Sequence, residues 1–143
     1  MIVRPPSTPE EYERYYDLRW RMLRAPWGQI RGTEKDKIED IAFPIMVCEE
    51  DGIPVGVGGV HFNNDDEAQI RSMAVEPEWQ KKGVGSIIII ELEKIAREKG
   101  AKYVVLNARD TAIPFYEKHG YRLIEKTITL FGTIPHHIMR KDF

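Results

Sequence analysis

Met73-Ala74-Val75-Glu76-Pro77-Glu78-Trp79-Gln80-Lys81-Lys82-Gly83-Val84-Gly85-Ser86 decides how the chain is read. A strand ends here, and Pro77 bars its continuation because it has no N–H to give a ladder. A basic, glycine-spaced loop then runs directly into a helical stretch. Gly83 and Gly85 let the backbone approach a ligand closely, and the helix behind them adds a positive N-terminal field. N–H groups gathered at such a bend suit a diphosphate, with countercharge from Lys81 and Lys82 and a hydroxyl from Ser86. There is no GxxxxGK[ST] and no GxGxxG, so this is neither a Walker loop nor a dinucleotide fingerprint. A glycine pair before a helix is, by itself, also an ordinary turn.

Upstream, Glu67 to Val75 reads as the strand that feeds the loop, entered through the turn Asn63-Asn64-Asp65-Asp66. Ile45–Cys48 and Ile53–Phe62 are two more strands, joined by the hairpin chemistry of Glu50-Asp51-Gly52. The middle of the chain is therefore an antiparallel meander. Ile2-Val3-Arg4 before Pro5-Pro6 is an edge strand. Thr8 caps a helix that has Pro9 at its first position and ends near Arg24. Trp27 to Gly32 is a loop, and Thr33 opens a short charged helix to about Asp40.

Downstream, Ile87 to Ile90 resembles a strand, but Ile88, Leu92 and Ile95 fall at helical spacing, which makes Ser86–Lys99 a helix ended by Gly100. Tyr103–Leu106 is a strand. Thr111 caps a helix from Ala112 to His119, with Pro114 in its first turn and Gly120 after it. Tyr121–Leu130 and His137–Arg140 are the last strands, around a turn at Gly132. The order is βααβββαβαββ. It implies an α/β (α+β) fold with one mixed sheet of about seven strands and four helices, and residues 1–143 form a single domain without repeat or linker.

The chain has 143 residues, 42% hydrophobic and 31% charged, with net charge -2. A chain of that size buries about 68–70% of its unfolded surface, enough for a core. One Cys and aperiodic glycine and proline exclude a disulfide framework and collagen. No apolar run approaches the roughly 18 residues of a membrane helix, and the opening lacks a signal-peptide core, so the expected address is cytoplasmic. The net charge argues against a nucleic-acid partner. Residues 1–70 carry 8 basic and 14 acidic side chains, whereas residues 71–143 carry 13 and 9. Such an asymmetry fits an anionic ligand on the second half and a cationic one met by the first, or simply two solvated faces.

Gln80-Lys81-Lys82-Gly83-Val84-Gly85 resembles the Q/R-x-x-G-x-G/A acetyl-CoA motif of the GNAT N-acetyltransferase superfamily. Ala112-Ile113-Pro114-Phe115-Tyr116-Glu117-Lys118-His119-Gly120-Tyr121 is similar to that family's A-x-x-[FL]-Y-x-K-x-G-[FY] block, and the element order is also the family's. Leu18-Arg19, Leu23 to Gly28 and Ile134-Pro135-His136 look like its small ElaA-like bacterial branch. The resemblance implies a V-shaped cleft in which pantetheine lies against backbone groups of Met73, Ala74 and Val75. It places the diphosphate on Gln80, Lys81, Lys82, Gly83, Val84, Gly85 and Ser86, and lets Asn107 bond pantetheine amides. The Met73 N–H would meet the thioester oxygen, and Tyr116 would reach the sulfur and protonate the departing thiolate. It implies no resident metal, and a homodimer is the family's habit.

A lysine-like amine of pKa about 10.4 must lose its proton before attack. The position at which many family members carry a glutamate is Gln69, and an amide accepts no such proton. Glu67, two residues earlier on the same face, is the named candidate base, with His61, His136, Glu76 or a water relay as alternatives. Cys48, without a basic neighbour, reads as a buried thiol, and the histidines match no zinc spacing. The expected function is transfer of an acetyl group from acetyl-CoA to a primary amine by direct attack. The alternative is a CoA-binding sensor without turnover. An acidic lip from Glu34, Asp36, Glu39 and Asp40 would favour a cationic amine.

Overall fold

Seven strands form one sheet: β1 (Ile2–Arg4), β2 (Phe43–Cys48), β3 (Pro54–Phe62), β4 (Glu67–Val75), β5 (Tyr103–Arg109), β6 (Arg122–Leu130) and β7 (Ile134–Asp142). Their spatial order is β1-β2-β3-β4-β5-β7-β6. The structure is a computed structural model that describes residues 1–30, 32, 40–130 and 134–143, with residues 126–130 and 134–135 described by backbone alone. The charged helix expected from Thr33 to Asp40 lies, except for Asp40, outside the described residues, as does the Gly132 turn. Three α-helices are found among the described residues: α1 (Pro9–Leu23), α2 (Val84–Glu98) and α3 (Ile113–Lys118).

Local chemistry sets most boundaries. Thr8 Oγ1 accepts the Glu11 N–H at 3.1 Å to open α1, with Pro9 behind it. Gly100 and Gly120 take φ of +95° and +93° after α2 and α3, a region that costs a side chain strain. Two expectations are corrected. Thr111 does not cap α3; Asp110–Ala112 form a 3-10 turn that passes straight into it without a side-chain cap. β5 extends past Leu106 to Arg109 because β7 pairs with it over seven residues.

The helices lie on opposite faces of the sheet. On one face α2 buries Val84, Ile88, Ile89, Leu92 and Ala96. It approaches β3 closely because two glycines face it. A Cβ at Gly56 would lie 2.6 Å from Val84 Cγ1, and one at Gly58 would lie 2.7 Å from Ile88 Cγ2. On the other face α1 buries Tyr15 and Leu18 against Met46, Cys48, Val57 and Ala74. The Tyr15 hydroxyl reaches across to donate to the Gly58 carbonyl at 3.3 Å. Beyond α3, buried Glu93 accepts from the Tyr121 hydroxyl at 2.8 Å and from Lys141 Nζ at 2.9 Å, tying α2 to β7. A buried carboxylate needs such partners.

Candidate active site in the parting of two strands

β4 and β5 are parallel and pair only at Glu67↔Tyr103, Ala68↔Val104 and Gln69↔Val105. Beyond Gln69 the two strands part. β5 turns its remaining edge to β7, as far as Arg109↔His136. β4 meanwhile carries a bulge: Val57 pairs with Ala74 and Gly59 with Arg71, so Ser72 and Met73 have no partner in the register with β3. Ser72 adopts φ +57°, unusual for a residue with a Cβ. A bulge turns a strand and re-aims its groups. The parting holds a cavity of about 480 Å³, walled by Gln69 to Met73 on one side and Leu106 to Arg109 on the other.

Strand alternation places lining residues of the cavity on both faces of the sheet. Ile70, Leu106 and Ala108 belong to the core packed by α2. His61 lies opposite Gln69, and Arg109 opposite His136, so these four share the other face with Arg71 and Asn107. That is the face of α1, since a Cβ on Gly59, two residues before His61, would meet the Tyr15 hydroxyl at 3.5 Å. At the α3 end, the Tyr116 hydroxyl points at Met73 Sδ, 3.7 Å away. Burial pushes this phenol up to about 12, with Arg109 pulling the other way. It therefore keeps its proton throughout the neutral range.

The loop between β4 and α2 has the form its glycines require. Pro77–Trp79 form a 3-10 turn, Gln80 is extended, Lys81 has φ +61° and Gly83, the N-cap of α2, has φ +88°. Nothing lies within 4 Å of where a Cβ on Gly83 would stand, whereas one on Gly85 would press Phe115 Cζ at 3.2 Å. The open bend ahead of a helix N terminus, with exposed Lys81 and Lys82, fits a diphosphate group. The Gln80 amide donates to the Val75 carbonyl at 3.1 Å, fastening the loop to the strand end. Val84 is buried, so only its backbone can face a ligand. The Ser86 hydroxyl is shared with His119 Nε2 at 2.9 Å, a tie between α2 and α3. Desolvation lowers the His119 pKa.

Met73, Asn107 and Tyr116 thus meet in one cavity, Ala74 and Val75 lead from it to the loop, and the loop follows. Glu67 stands at the closed end, where the strands still pair. Its carboxylate accepts from Asn63 Nδ2 at 2.7 Å and from the Tyr103 hydroxyl, whose pKa is raised chiefly by that bond. Asn63 Nδ2 also donates to Gln69 Oε1 at 3.0 Å, and Asn63 Oδ1 lies 2.9 Å from His61 Nε2. Since the Asn63 oxygen can only accept, His61 Nε2 donates to it. His61 and His136 both line the cavity and are both buried. Glu76 is gripped by the Arg21 guanidinium at 2.9 and 3.0 Å, and so does not serve the cavity. Cys48 is buried in the α1 cluster with its thiol pushed up by desolvation, which leaves it inert.

Three arginines of the wall were not among the candidate site residues read from the sequence: Arg24, Arg71 and Arg109. The signal was present, because Arg71 lies two residues after Gln69 and Arg109 two after Asn107, on the same face. Only the extension of β5 makes the second spacing meaningful. Among the described residues no group of three or more His, Cys, Asp or Glu is gathered as for a metal. No helix among them is long and apolar enough to cross a membrane.

Comparisons with known proteins agree with this geometry. The model of the Acetyltransferase (GNAT) family matches residues 12–121. An N-acetyltransferase of Bacillus subtilis strain 168 called YjcF, itself uncharacterized, is 38% identical over 109 residues, which cover 76% of each chain. A crystal structure of a putative N-acetyltransferase from Lactobacillus plantarum superposes with a TM-score of 0.86 at 19% identity, over 99% of this chain and 97% of that one. A GNAT acetyltransferase from Elizabethkingia anophelis, solved with acetyl-CoA bound, gives 0.80 at 16% identity, again over 99% and 97%. The family model and the Bacillus relative both cover most of the chain: the chain belongs to the GNAT acetyltransferase family.

Proposed function

We propose that the protein moves an acetyl group from acetyl-CoA to a primary amine by direct attack, without an acyl-enzyme. The observation that carries this reading is the opening between β4 and β5, bordered by the Met73 bulge and Tyr116, at the end of the strand that leads along the chain into the Gly83 bend. The bound acetyl-CoA of the Elizabethkingia neighbour supports the same choice of donor.

In this reading the backbone of Lys81 to Gly85 and the α2 N terminus hold the diphosphate. Gln80 shapes that loop, and the Lys81 and Lys82 ammonium groups balance charge. Pantetheine lies along Met73, Ala74 and Val75, and Asn107 meets its amides from across the cleft. The Met73 N–H donates to the thioester oxygen as it gains negative charge, a contact worth roughly 3 kcal/mol in the transition state. The amine nitrogen attacks the carbonyl carbon, the C–N bond forms and the C–S bond breaks. Tyr116 then donates to the departing sulfur in place of its present bond to Met73. Its high pKa means the proton is shared rather than surrendered outright, and the burial that lifts the phenol also lifts a thiol beside it.

The ammonium proton leaves through His61 Nδ1, His136 or a water between them. Glu67 acts one step behind, holding Asn63 and through it the His61 ring. Melting curves and acceptor assays test the reading. Acetyl-CoA should raise the Tm, and free CoA should appear only when an amine is added. A raised Tm without CoA release from any amine would favour the binding module, in which Gln69 marks the loss of a carboxylate.

A further inference from the structure

The wall of the cavity on the α1 side has a definite electrical character. Arg24, Arg71 and Arg109 line it together with His61 and His136, and among the described residues that line it there is no carboxylate. Arg71 and Arg109 share one face of the sheet, on the two strands that part. Arg109 also lies over the Trp27 ring, 6.0 Å from its centre, and Trp27 belongs to the same wall. A guanidinium stays charged at any working pH and carries five N–H donors, so a partner within the protein does not exhaust it.

These charges are on the wrong side of the sheet for the diphosphate. The Gly83 bend opens α2, which covers the face marked by Gly56 and Gly58, whereas Arg71 and Arg109 lie on the α1 face. On the transferase reading the acyl donor comes from the α2 side, which leaves the α1 side to the acceptor. An acceptor that brought only positive charge would meet three fixed cations. One that carries an oxyanion beside its amine would be held by them.

Resting on the transferase reading, we propose that the acceptor is an amine bearing an oxyanion, a carboxylate or a phosphate ester, received by Arg71 and Arg109 with Arg24 beside them. The lip of Glu34, Asp36 and Glu39, expected to attract a cationic amine, lies outside the described residues.

A matched panel tests this with the full-length protein and acetyl-CoA at fixed ionic strength. It contains ω-amino carboxylates, aminoalkyl phosphates, amino alcohols of equal length and diamines. Expected is a kcat/KM for one of the two anionic series at least about tenfold above the amino alcohols, with the diamines lowest. The better of the first two series identifies the oxyanion. Arg71→Gln and Arg109→Gln should collapse that ratio mainly through the KM of the acceptor. Arg71→Glu should shift the order toward diamines.

Should these variants fail to fold, wild-type protein still decides. Simple carboxylates or inorganic phosphate should inhibit competitively against the acceptor and not against acetyl-CoA. Equal or better rates with amino alcohols or diamines would overturn the proposal while leaving the transferase intact. Acetyl-CoA binding without transfer to any member would overturn the transferase reading itself.

Discussion

The Tyr116 hydroxyl and the Met73 sulfur lie 3.7 Å apart across the cleft, one on α3 and the other at the bulge of β4. A thioether is a weak acceptor, so this contact yields readily to a thiolate. Tyr116→Phe keeps the ring, which packs edge-on to Tyr121 at 5.9 Å, and removes only the donor. Turnover should fall roughly 10²-fold, within the range of general acid catalysis. Affinity for CoA by calorimetry should stay within about threefold. Unchanged turnover would return Tyr116 to a packing role.

Gly83→Asp should weaken CoA binding at least about tenfold. At φ +88° an L-residue costs roughly 1–2 kcal/mol, and the new carboxylate would stand in the open space where the diphosphate is proposed to lie. Titration calorimetry with CoA reads the effect; an unaltered Kd would remove the diphosphate from this bend.

Gly58→Ala probes the opposite kind of glycine, one with ordinary φ but no room. Its Cβ would meet Ile88 Cγ2 at 2.7 Å and Leu92 Cδ1 at 3.1 Å. Overpacking of that kind costs about 1–3 kcal/mol. The midpoint of urea unfolding should drop accordingly, with no change in slope.

Glu11 provides a pH test. Arg4 holds its carboxylate at 2.8 and 2.5 Å, and the Ser7 N–H adds a third bond at 2.9 Å, so its pKa lies well below the usual carboxylate range. A depressed folded pKa adds stability above the unfolded value of about 4.3, and that stability is lost as the pH falls below it. Glu11→Gln should therefore unfold earlier than wild type at pH 7. The gap should begin to narrow as the pH falls below about 4 and keep narrowing down to the depressed folded pKa, as followed by urea midpoints. A gap independent of pH would mean that the pair adds nothing by its charge.

The features visible in the sequence are those written by neighbours along the chain. Glu67 to Val75 was bounded by an Asn-Asp turn and by Pro77, and Thr8, Gly100 and Gly120 acted as caps and stops through their own chemistry. The features that were hidden depend on partners far away in the chain. The bulge at Ser72 arises from the register with β3 and has no glycine to announce it. The reach of β5 to Arg109 depends on β7, some thirty residues later, and without it Arg109 read as loop. Counting along β4 makes Glu67 a candidate base; the end of the pairing with β5 places it at the closed end of the cleft, while His61 and His136 line the cavity.

On the transferase reading, a cavity lined from both faces of the sheet would give each substrate its own doorway. Neither would wait for the other to clear a shared corridor, so both would occupy the protein together and double-reciprocal plots should intersect instead of running parallel. A bulky acceptor could press on its side without obstructing the exit of spent CoA, and a bisubstrate inhibitor would have to be threaded through the gap like a rivet.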